Sequence, residues 1–481
     1  PEIRCVLGLA ETVVTGAADG YARIAGKPAV TLLHTGPGLA NGLANLHNAR
    51  RGPSPILNIV GDHATQHLRF DTPLASDVAA IAAPVSHWVH TVRTGESPAA
   101  AVASALEIAR SGPGRVATLI LPADLSWLPS STAPLRLVAA TTQPVPGVRP
   151  AAEALKQDGA MLLLGGNIDA GLLEKAGAIA AATGARLAVE TFPARLAAGG
   201  GRPLVEKLPY LPEMLHAAMA GVRQLVIVGA HRPATFFAYP DVKGDAVPEG
   251  CDLHLLAGPE QLVEPALDAL LEVLEGGEPL RNQRSEAHAP TGPLNPFALA
   301  QAVAATLPKD AIIVEEAITG GMALYPVLAS APAHDWLFQT GGAIGWGLPA
   351  AVGAALAAPK RRVLCIEGDG SSLYSIPALW TMAREQLDIT VVIIANRDYA
   401  ILKHEFFRMK GRPPGEAVAS MMSIGNPDID FVGVSEGFGV SAERVDTADA
   451  LATALQASFG RPGPTLIEAV MPSLDLTRLV P

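Results

Sequence analysis

Apolar, β-branched runs alternate with alanine-rich segments of helical periodicity along most of the chain. Runs at 29–33, 56–60 and 116–121 predict strands in the first third, 161–164, 186–189 and 224–228 in the middle, and 311–314, 363–366, 391–394 and 465–469 in the last. Continuous apolar strands separated by helices suit parallel sheets, whose two faces are both covered by crossover helices. The expected class is α/β, with three doubly wound, mostly parallel sheets, one for each cluster. Residues 130–150, rich in Ser, Thr and Pro, and 276–296, punctuated by Pro279, Pro290, Pro293 and Pro296, read as linkers. They divide the chain into units near 1–130, 151–275 and 291–481. The chain opens at Pro1, already close to the apolar run Ile3-Arg4-Cys5-Val6-Leu7, which reads as a first domain truncated at its N-terminus.

Composition agrees with several domains, since 481 residues exceed what one core supports. Hydrophobic residues make up 49% and charged residues 17%, enough apolar content to exclude disorder, coiled coil and collagen. A net charge of −11 with no Lys/Arg run argues against a nucleic-acid partner. The longest apolar stretches fall short of the ~18 residues that span a bilayer, so a soluble, cytoplasmic chain is expected. Cys5, Cys251 and Cys365 are scattered in apolar surroundings and read as buried, reduced thiols.

The most informative stretch is Cys365-Ile366-Glu367-Gly368-Asp369-Gly370-Ser371, where an apolar strand enters a Gly-Asp-Gly turn and a helix is predicted over 376–385. Glycines let the backbone approach a ligand, and a helix start offers N–H groups to phosphate. An acid there would repel phosphate unless a cation lay between them. The next strand ends in Asn396-Arg397-Asp398-Tyr399, with Asn396 27 residues after Asp369, the length of one helix and one strand. Adjacent parallel strands bring both ends to one rim. Asp369, the Asn396 side-chain oxygen and the carbonyl of Asp398 can then hold Mg²⁺, a hard cation, with diphosphate oxygens completing the shell.

These residues resemble the diphosphate and Mg²⁺ motif of the thiamine-diphosphate (ThDP) enzymes of the 2-keto-acid decarboxylase and acetolactate synthase superfamily. The usual Asn-Asn pair is Ala395-Asn396 here. The run from Gly368 to Thr381 is especially similar to benzoylformate decarboxylases. The first domain carries the resemblance too, because Glu11 precedes Asp19-Gly20-Tyr21-Ala22-Arg23 by eight residues. In the family, a glutamate so placed hydrogen-bonds N1′ of the aminopyrimidine and activates the cofactor. The resemblance further implies cofactor contacts from Thr319 near Glu316, from Gly342 and Ile344 in the loop that bends the cofactor, from Gly368, Gly370 and Ser371 at the diphosphate, and from Tyr399.

His34, in Leu33-His34-Thr35-Gly36-Pro37-Gly38, lies 23 residues after Glu11 and matches a proton-relaying histidine of benzoylformate decarboxylases. A strand end beside a Gly-Pro-Gly loop suits that role. His63 and His67 read as a solvated turn. Where those decarboxylases place a second histidine in the middle domain, this chain has Phe236, followed by Phe237, which read equally as a substrate wall or as core packing. The stretch Leu164-Gly165-Gly166-Asn167 lacks a G-x-G-x-x-G element with an acidic partner ~20 residues on, so neither a nicotinamide dinucleotide nor FAD is expected. The stretch starting at Thr191-Phe192-Pro193-Ala194-Arg195 reads as a Gly-rich loop, either bordering the active-site entrance or lying at the surface.

The resemblance implies a ThDP- and Mg²⁺-dependent, non-oxidative decarboxylation of a benzoylformate-like 2-keto acid to an aldehyde through an enamine. The alternatives are an acetolactate synthase-type carboligase that joins two 2-keto acids, and a non-catalytic partner or sensor of the same fold. It also implies a homodimer, with homotetramers common among relatives.

Overall fold

The computed structural model describes residues 3–93, 95–127, 145–285, 287–288 and 290–473. The expected linker at 130–150 lies mostly outside them, and its last residues already belong to the helix Val148–Leu155. Three sheets are present among the described residues. The first has four parallel strands in the order Ala29–His34, Ile56–Asp62, Val116–Pro122 and Trp88–Thr91. Alternate residues of these strands enter different cores. Ile56, Val60, Val116 and Ile120 pack with Leu39 and Leu46, while Leu57, Ala117 and Leu119 pack with Ala101 and Ala105. A strand with both faces covered needs both of its residue sets to be largely apolar, as in Ile56–Asp62 and Val116–Pro122, whereas the edge strand Ala29–His34 leaves Val30 and Leu32 exposed.

The second sheet has five parallel strands in the order Asp252–Ala257, Gln224–Val228, Ala160–Leu164, Arg186–Val189 and Glu206–Lys207. The third has eight, centred on Ile389–Ala395, Val363–Gly368 and Ile312–Glu316. It departs from the expected pattern of one sheet per cluster. Arg195–Ala198 pairs antiparallel with His334–Phe338, and Asn167–Ile168 extends that edge, so the middle stretch lends two strands to the last sheet. The segment expected as a loop after Thr191 is thus partly a strand, with Leu196, Ala197 and Ala198 buried.

The helix Glu11–Ala25 lies against Gly347–Ala357 with almost no side chain between them. A Cβ on Gly20 would fall 2.1 Å from the Ala350 carbonyl oxygen, and one on Gly353 would fall 1.9 Å from that of Ala17. Only glycine permits that approach. The cysteines depart from expectation as well: Cys365 is buried in the third sheet, but Cys5 is exposed and Cys251 half-buried, because only Cys365 lies in a covered strand. No helix among the described residues is long and apolar enough to cross a membrane.

Candidate active site

Strands Val363–Gly368 and Ile389–Ala395 are parallel neighbours with Gly368 opposite Ile394, so Asp369 and Asn396 leave adjacent strand ends. The Asp369 carboxylate accepts the amides of Gly370 at 2.8 Å and Arg397 at 2.6 Å. Burial pushes its pKa up to about 6 despite these amides, so an ionised Asp369 is a group that a cation would stabilise. The Asn396 Oδ1 accepts the amide of Asp398 at 3.0 Å. Lys403 Nζ at 2.7 Å and Ser473 Oγ at 2.8 Å both engage Asp398 Oδ2, while Asp398 Oδ1 is buried with no hydrogen-bond partner among the described residues. The Tyr399 ring covers Gly370, where a Cβ would meet Cε1 at 2.4 Å.

Instead of an open turn followed by one helix over 376–385, the chain forms a single helical turn at Asp369–Ser372 and a second helix at Ala378–Arg384. Pro377 limits the latter, since it supplies no N–H and a fixed φ that suit a helix start. Ser371 Oγ donates to the carbonyl of Gly368 at 3.1 Å. Among the described residues no three His, Cys, Asp or Glu side chains converge. The donors here are instead one carboxylate, one amide oxygen and one carbonyl, all hard oxygens, a set that fits Mg²⁺ if a ligand's phosphate completes it.

A second group of candidate residues surrounds Glu11, the first residue of Glu11–Ala25. Its Oε2 accepts Asn41 Nδ2 at 3.3 Å. A Cβ on Gly38 would lie 3.2 Å from its Oε1, so this glycine keeps space open beside the carboxylate. His34 is exposed at the end of Ala29–His34, about one helical turn before Gly38. The Gly36-Pro37-Gly38 segment is not a loop, as expected, but the first turn of the helix Thr35–Arg51, which proline tolerates there.

Backbone strain marks both groups. Thr35 (φ 55°), Ile318 (φ 49°) and Arg397 (φ 58°) are left-handed non-glycine residues, and each adjoins a candidate residue: His34, Thr319 and Asn396. Such conformations cost about 1–3 kcal/mol each and concentrate where function requires them. Thr319 itself is buried.

The segment 339–347 bridges the sheets. Asn48 Nδ2 donates to the Ala343 carbonyl at 2.8 Å while its Oδ1 accepts the Ala343 amide at 3.2 Å, and Asn45 Nδ2 donates to the Gly345 carbonyl at 3.3 Å. Ile344 is therefore held between two anchored residues. Gly342, in the left-handed region (φ 77°), faces Phe236, whose Cζ lies 3.0 Å from where a Cβ would stand. Phe236 and Phe237 are 48% and 55% exposed, which corrects the core-packing alternative for both. They form an aromatic shelf with Phe192 and Tyr210, ring centroids 4.9–6.2 Å apart.

That shelf adjoins a cavity of about 180 Å³ lined by Arg51, Glu190, Tyr210, His231 and Thr340. Glu190 went unnoticed in the sequence. It directly follows the strand Arg186–Val189 and accepts the Gly166 amide at 2.8 Å, and burial pushes its pKa up to about 7. The signal was an acid directly after a predicted strand, 25 residues after Gly165. Asn41, Asn45 and Asn48 also went unnoticed, although three amides at helical spacing on one face were legible. His63 and His67, ring centroids 5.9 Å apart, lie after Ile56–Asp62, where His63 Nε2 meets Thr72 Oγ1 at 3.3 Å. Among the described residues no hydrogen bond joins Glu11 or Asn41 to Asp369 or Asn396.

A strand-end carboxylate with hard-oxygen neighbours and an acid beside a glycine are thus set on a three-sheet α/β frame. Comparison with known proteins gives the family. Residues 1–84 match the N-terminal TPP binding domain of thiamine pyrophosphate enzymes, and 319–469 match their C-terminal TPP binding domain. A Mycobacterium tuberculosis relative provisionally named an acetolactate synthase large subunit, IlvX, is 48% identical over 98% of this chain and 92% of its own. The benzoylformate decarboxylase of Pseudomonas aeruginosa is 29% identical over 98% of this chain and 93% of its own. A solved structure, the thiamine diphosphate-dependent 4-hydroxybenzoylformate decarboxylase of Rhodococcus jostii RHA1, superposes with a TM-score of 0.83 at 25% identity, covering 98% of this chain and 92% of that one. The chain belongs to the thiamine-diphosphate-dependent family that includes acetolactate synthases and benzoylformate decarboxylases.

Proposed function

We propose that this protein decarboxylates a 2-keto acid with a bulky apolar acyl group, using thiamine diphosphate and Mg²⁺. The observation that carries the reading is the Glu11 carboxylate beside the opening left by Gly38, with His34 about one turn away on the same helix start. Bound thiamine diphosphate supplies the electron sink that lets the carboxylate leave as CO₂. Glu11 holds a proton at N1′ of the aminopyrimidine. Asp369, Asn396 and the Asp398 carbonyl hold the cation against the diphosphate, Gly368, Gly370 and Ser371 line its path, and Tyr399 closes over Gly370. Thr319 belongs to the diphosphate side, and Gly342 and Ile344 to the segment that bends the cofactor.

His34, exposed at its strand end, delivers the proton that replaces CO₂. Phe236 and Phe237, with Phe192 and Tyr210, supply an apolar face for the acyl group and keep water from it. No flavin enters the reading. The Asp169 carboxylate caps the helix Ala170–Thr183 by accepting the Leu172 amide, and Glu190 takes the Gly166 amide, so groups that would greet a pyrophosphate are already engaged. A homodimer is the smallest assembly in this reading, as family membership implies, with the Glu11 group of one subunit facing the Asp369 group of its partner.

A second reading, ligation to another 2-keto acid, is favoured by the likeness to the M. tuberculosis relative and by Phe236 standing where a second histidine is expected. Both readings begin with loss of CO₂. Incubation with thiamine diphosphate, Mg²⁺ and a panel including pyruvate and benzoylformate, following CO₂ and separating aldehyde from acyloin, tests them. Release of CO₂ with benzoylformate preferred and aldehyde formed is expected. Acyloin as the main product would favour ligation, and no CO₂ from any acid would end both readings.

A further inference from the structure

One cation of the middle stretch is surrounded by rings instead of acids. Lys207 ends the short edge strand Glu206–Lys207, which pairs with Arg186–Val189 so that Lys207 stands opposite Val189. Side chains alternate along a strand, so Glu206 turns outward to Arg186 and Lys207 turns the other way. Its Nζ lies 5.1 Å from the ring centre of Phe338, 5.5 Å from that of Phe192 and 5.8 Å from that of Tyr325. All three fall within the about 6 Å over which a ring face attracts a cation. Among the described residues Nζ makes no hydrogen bond and no ion pair. Burial pushes the Lys207 pKa down, and attraction from Glu315, whose Oε1 is already taken by the Ala317 amide at 3.0 Å, opposes it. The ring faces act in the same sense as Glu315, because their negative quadrupole favours the charged form.

The three rings belong to different parts of the site. Phe338 is the last residue of the strand His334–Phe338, stacked on Trp336 with centroids 5.4 Å apart, and the segment 339–347 leaves directly from it. Phe192 belongs to the aromatic shelf and stands edge-on to Phe236, centroids 6.2 Å apart. Phe236 in turn faces Gly342. Tyr325, on the helix Leu324–Leu328, donates its hydroxyl to the Val205 carbonyl at 3.2 Å and so holds the chain just before Lys207. A closed circuit results, from Lys207 to Phe338, along the chain to Gly342, across to Phe236 and Phe192, and back to Lys207.

We propose that Lys207 is a positioning residue that fixes the aromatic shelf relative to the cofactor-bending segment and thereby selects for an aromatic acyl group. It acts through Phe192 and Phe338 and does not touch substrate. A substrate ring packed on Phe236 and Phe192 needs both at set angles, whereas the methyl of pyruvate is too small to use them. An apolar side chain could fill the same space but would leave Phe192 free to turn, since a cation draws several ring faces to one point. The proposal deepens the reading of the shelf as the acyl-group wall and rests on that reading.

Two measurements on the full-length protein test it. Fluorine NMR of protein labelled with 4-fluorophenylalanine, recorded without cofactor and assigned with Phe192→Leu and Phe236→Leu, reports the rings themselves. Lys207→Met is expected to move and broaden the Phe192 and Phe236 signals while that of Phe431, in a separate core cluster, stays in place. With thiamine diphosphate and Mg²⁺, the same variant should lose about tenfold in kcat/KM for benzoylformate, through KM rather than kcat, and stay within about twofold for pyruvate. Lys207→Arg keeps a cation that rings attract and should recover most of the loss. Unmoved Phe192 and Phe236 signals in Lys207→Met would overturn the proposal. Equal losses for both substrates would do so too, being the mark of an inward charge that merely guards a sheet edge. A Lys207→Arg protein no better than Lys207→Met would remove the cation from the argument and overturn it as well. If Lys207→Met does not fold, as a displaced Phe431 signal would show, Lys207→Gln takes its place with the same outcomes expected. If the ring signals respond but the parent protein releases no CO₂ from either acid, the shelf's substrate reading fails and the hold of Lys207 on the rings stands.

Discussion

The indole Nε1 of Trp346 donates a hydrogen bond to Asp19 Oδ2 at 2.7 Å, and the Arg23 guanidinium lies 4.8 Å from the centre of the same ring. Arg23 also pairs with Asp19 at 2.6 Å and donates to the carbonyls of Ala194 at 3.2 Å and Phe338 at 2.6 Å. A single buried side chain thereby ties together the first sheet's leading helix, the middle stretch and the third sheet. The Asp-Gly-Tyr-Ala-Arg run earns its place in this fold as a clamp: Asp19 and Arg23 bind across, and Gly20 lets the helices touch.

Removing the clamp's cation should be costly. Arg23→Ala leaves Asp19 buried without its counter-charge, which typically costs about 3–5 kcal/mol. Urea unfolding should show that loss in the midpoint. A loss under about 1 kcal/mol, the range of exposed ion pairs, would mean the clamp contributes little.

Glu11→Gln should reduce CO₂ release by about 10²–10⁴-fold, the usual contribution of a positioned acid or base, while thiamine diphosphate still binds. Unchanged turnover would remove Glu11 from the chemistry. The parallel binding measurement separates lost chemistry from a lost cofactor.

Phe236→Ala removes the ring that faces Gly342. If the aromatic shelf receives the acyl group, kcat/KM for an aromatic 2-keto acid should fall by about tenfold or more, and that for pyruvate much less, since pyruvate's methyl cannot reach it. Equal losses for both substrates would assign Phe236 to the cofactor-side segment rather than to specificity.

Asp335 gives a pH dependence. Burial alone would raise its pKa, but Arg195 at 3.0 Å and Arg361 at 2.7 Å outweigh it and hold the carboxyl below its ordinary 3.8. A folded pKa below the unfolded one adds stability that is complete above pH 3.8 and drains as pH falls through the folded value. Asp335→Asn should therefore be less stable at neutral pH, and its stability should fall less steeply on acidification below about pH 4. Parallel denaturation series for the two proteins would reveal the difference in slope, and identical slopes would contradict the assignment.

Much of the frame was written in the sequence. The runs at 186–189 and 224–228 became strands with those very limits, because a buried parallel strand must be apolar on both faces. The strands it concealed are short or polar. Ser441–Val445 alternates with charges at a sheet edge, and His334–Phe338 begins with His334 and Asp335, whose polarity is offset by Arg195 and Arg361 arriving from elsewhere. The pairing of Asp369 with Asn396 was legible as well, since strand–helix–strand spacing fixes which ends become neighbours.

Tertiary structure alone decided what faces those ends. Spacing carries no information about Asn41 beside Glu11, about the three amides gathered by Glu316, or about Glu190 turning to Gly166, because each contact depends on how separate elements pack. The middle stretch's two strands joined the third sheet for the same reason: an open sheet edge takes whichever backbone lies against it, and hydrogen bonds between backbones do not read side chains. By itself the sequence determined the α/β class and which strand ends become neighbours, through local patterns of burial and spacing. Folding decided that a buried arginine ties the helix that starts at Glu11 to the third sheet, a contact that local pattern could not supply.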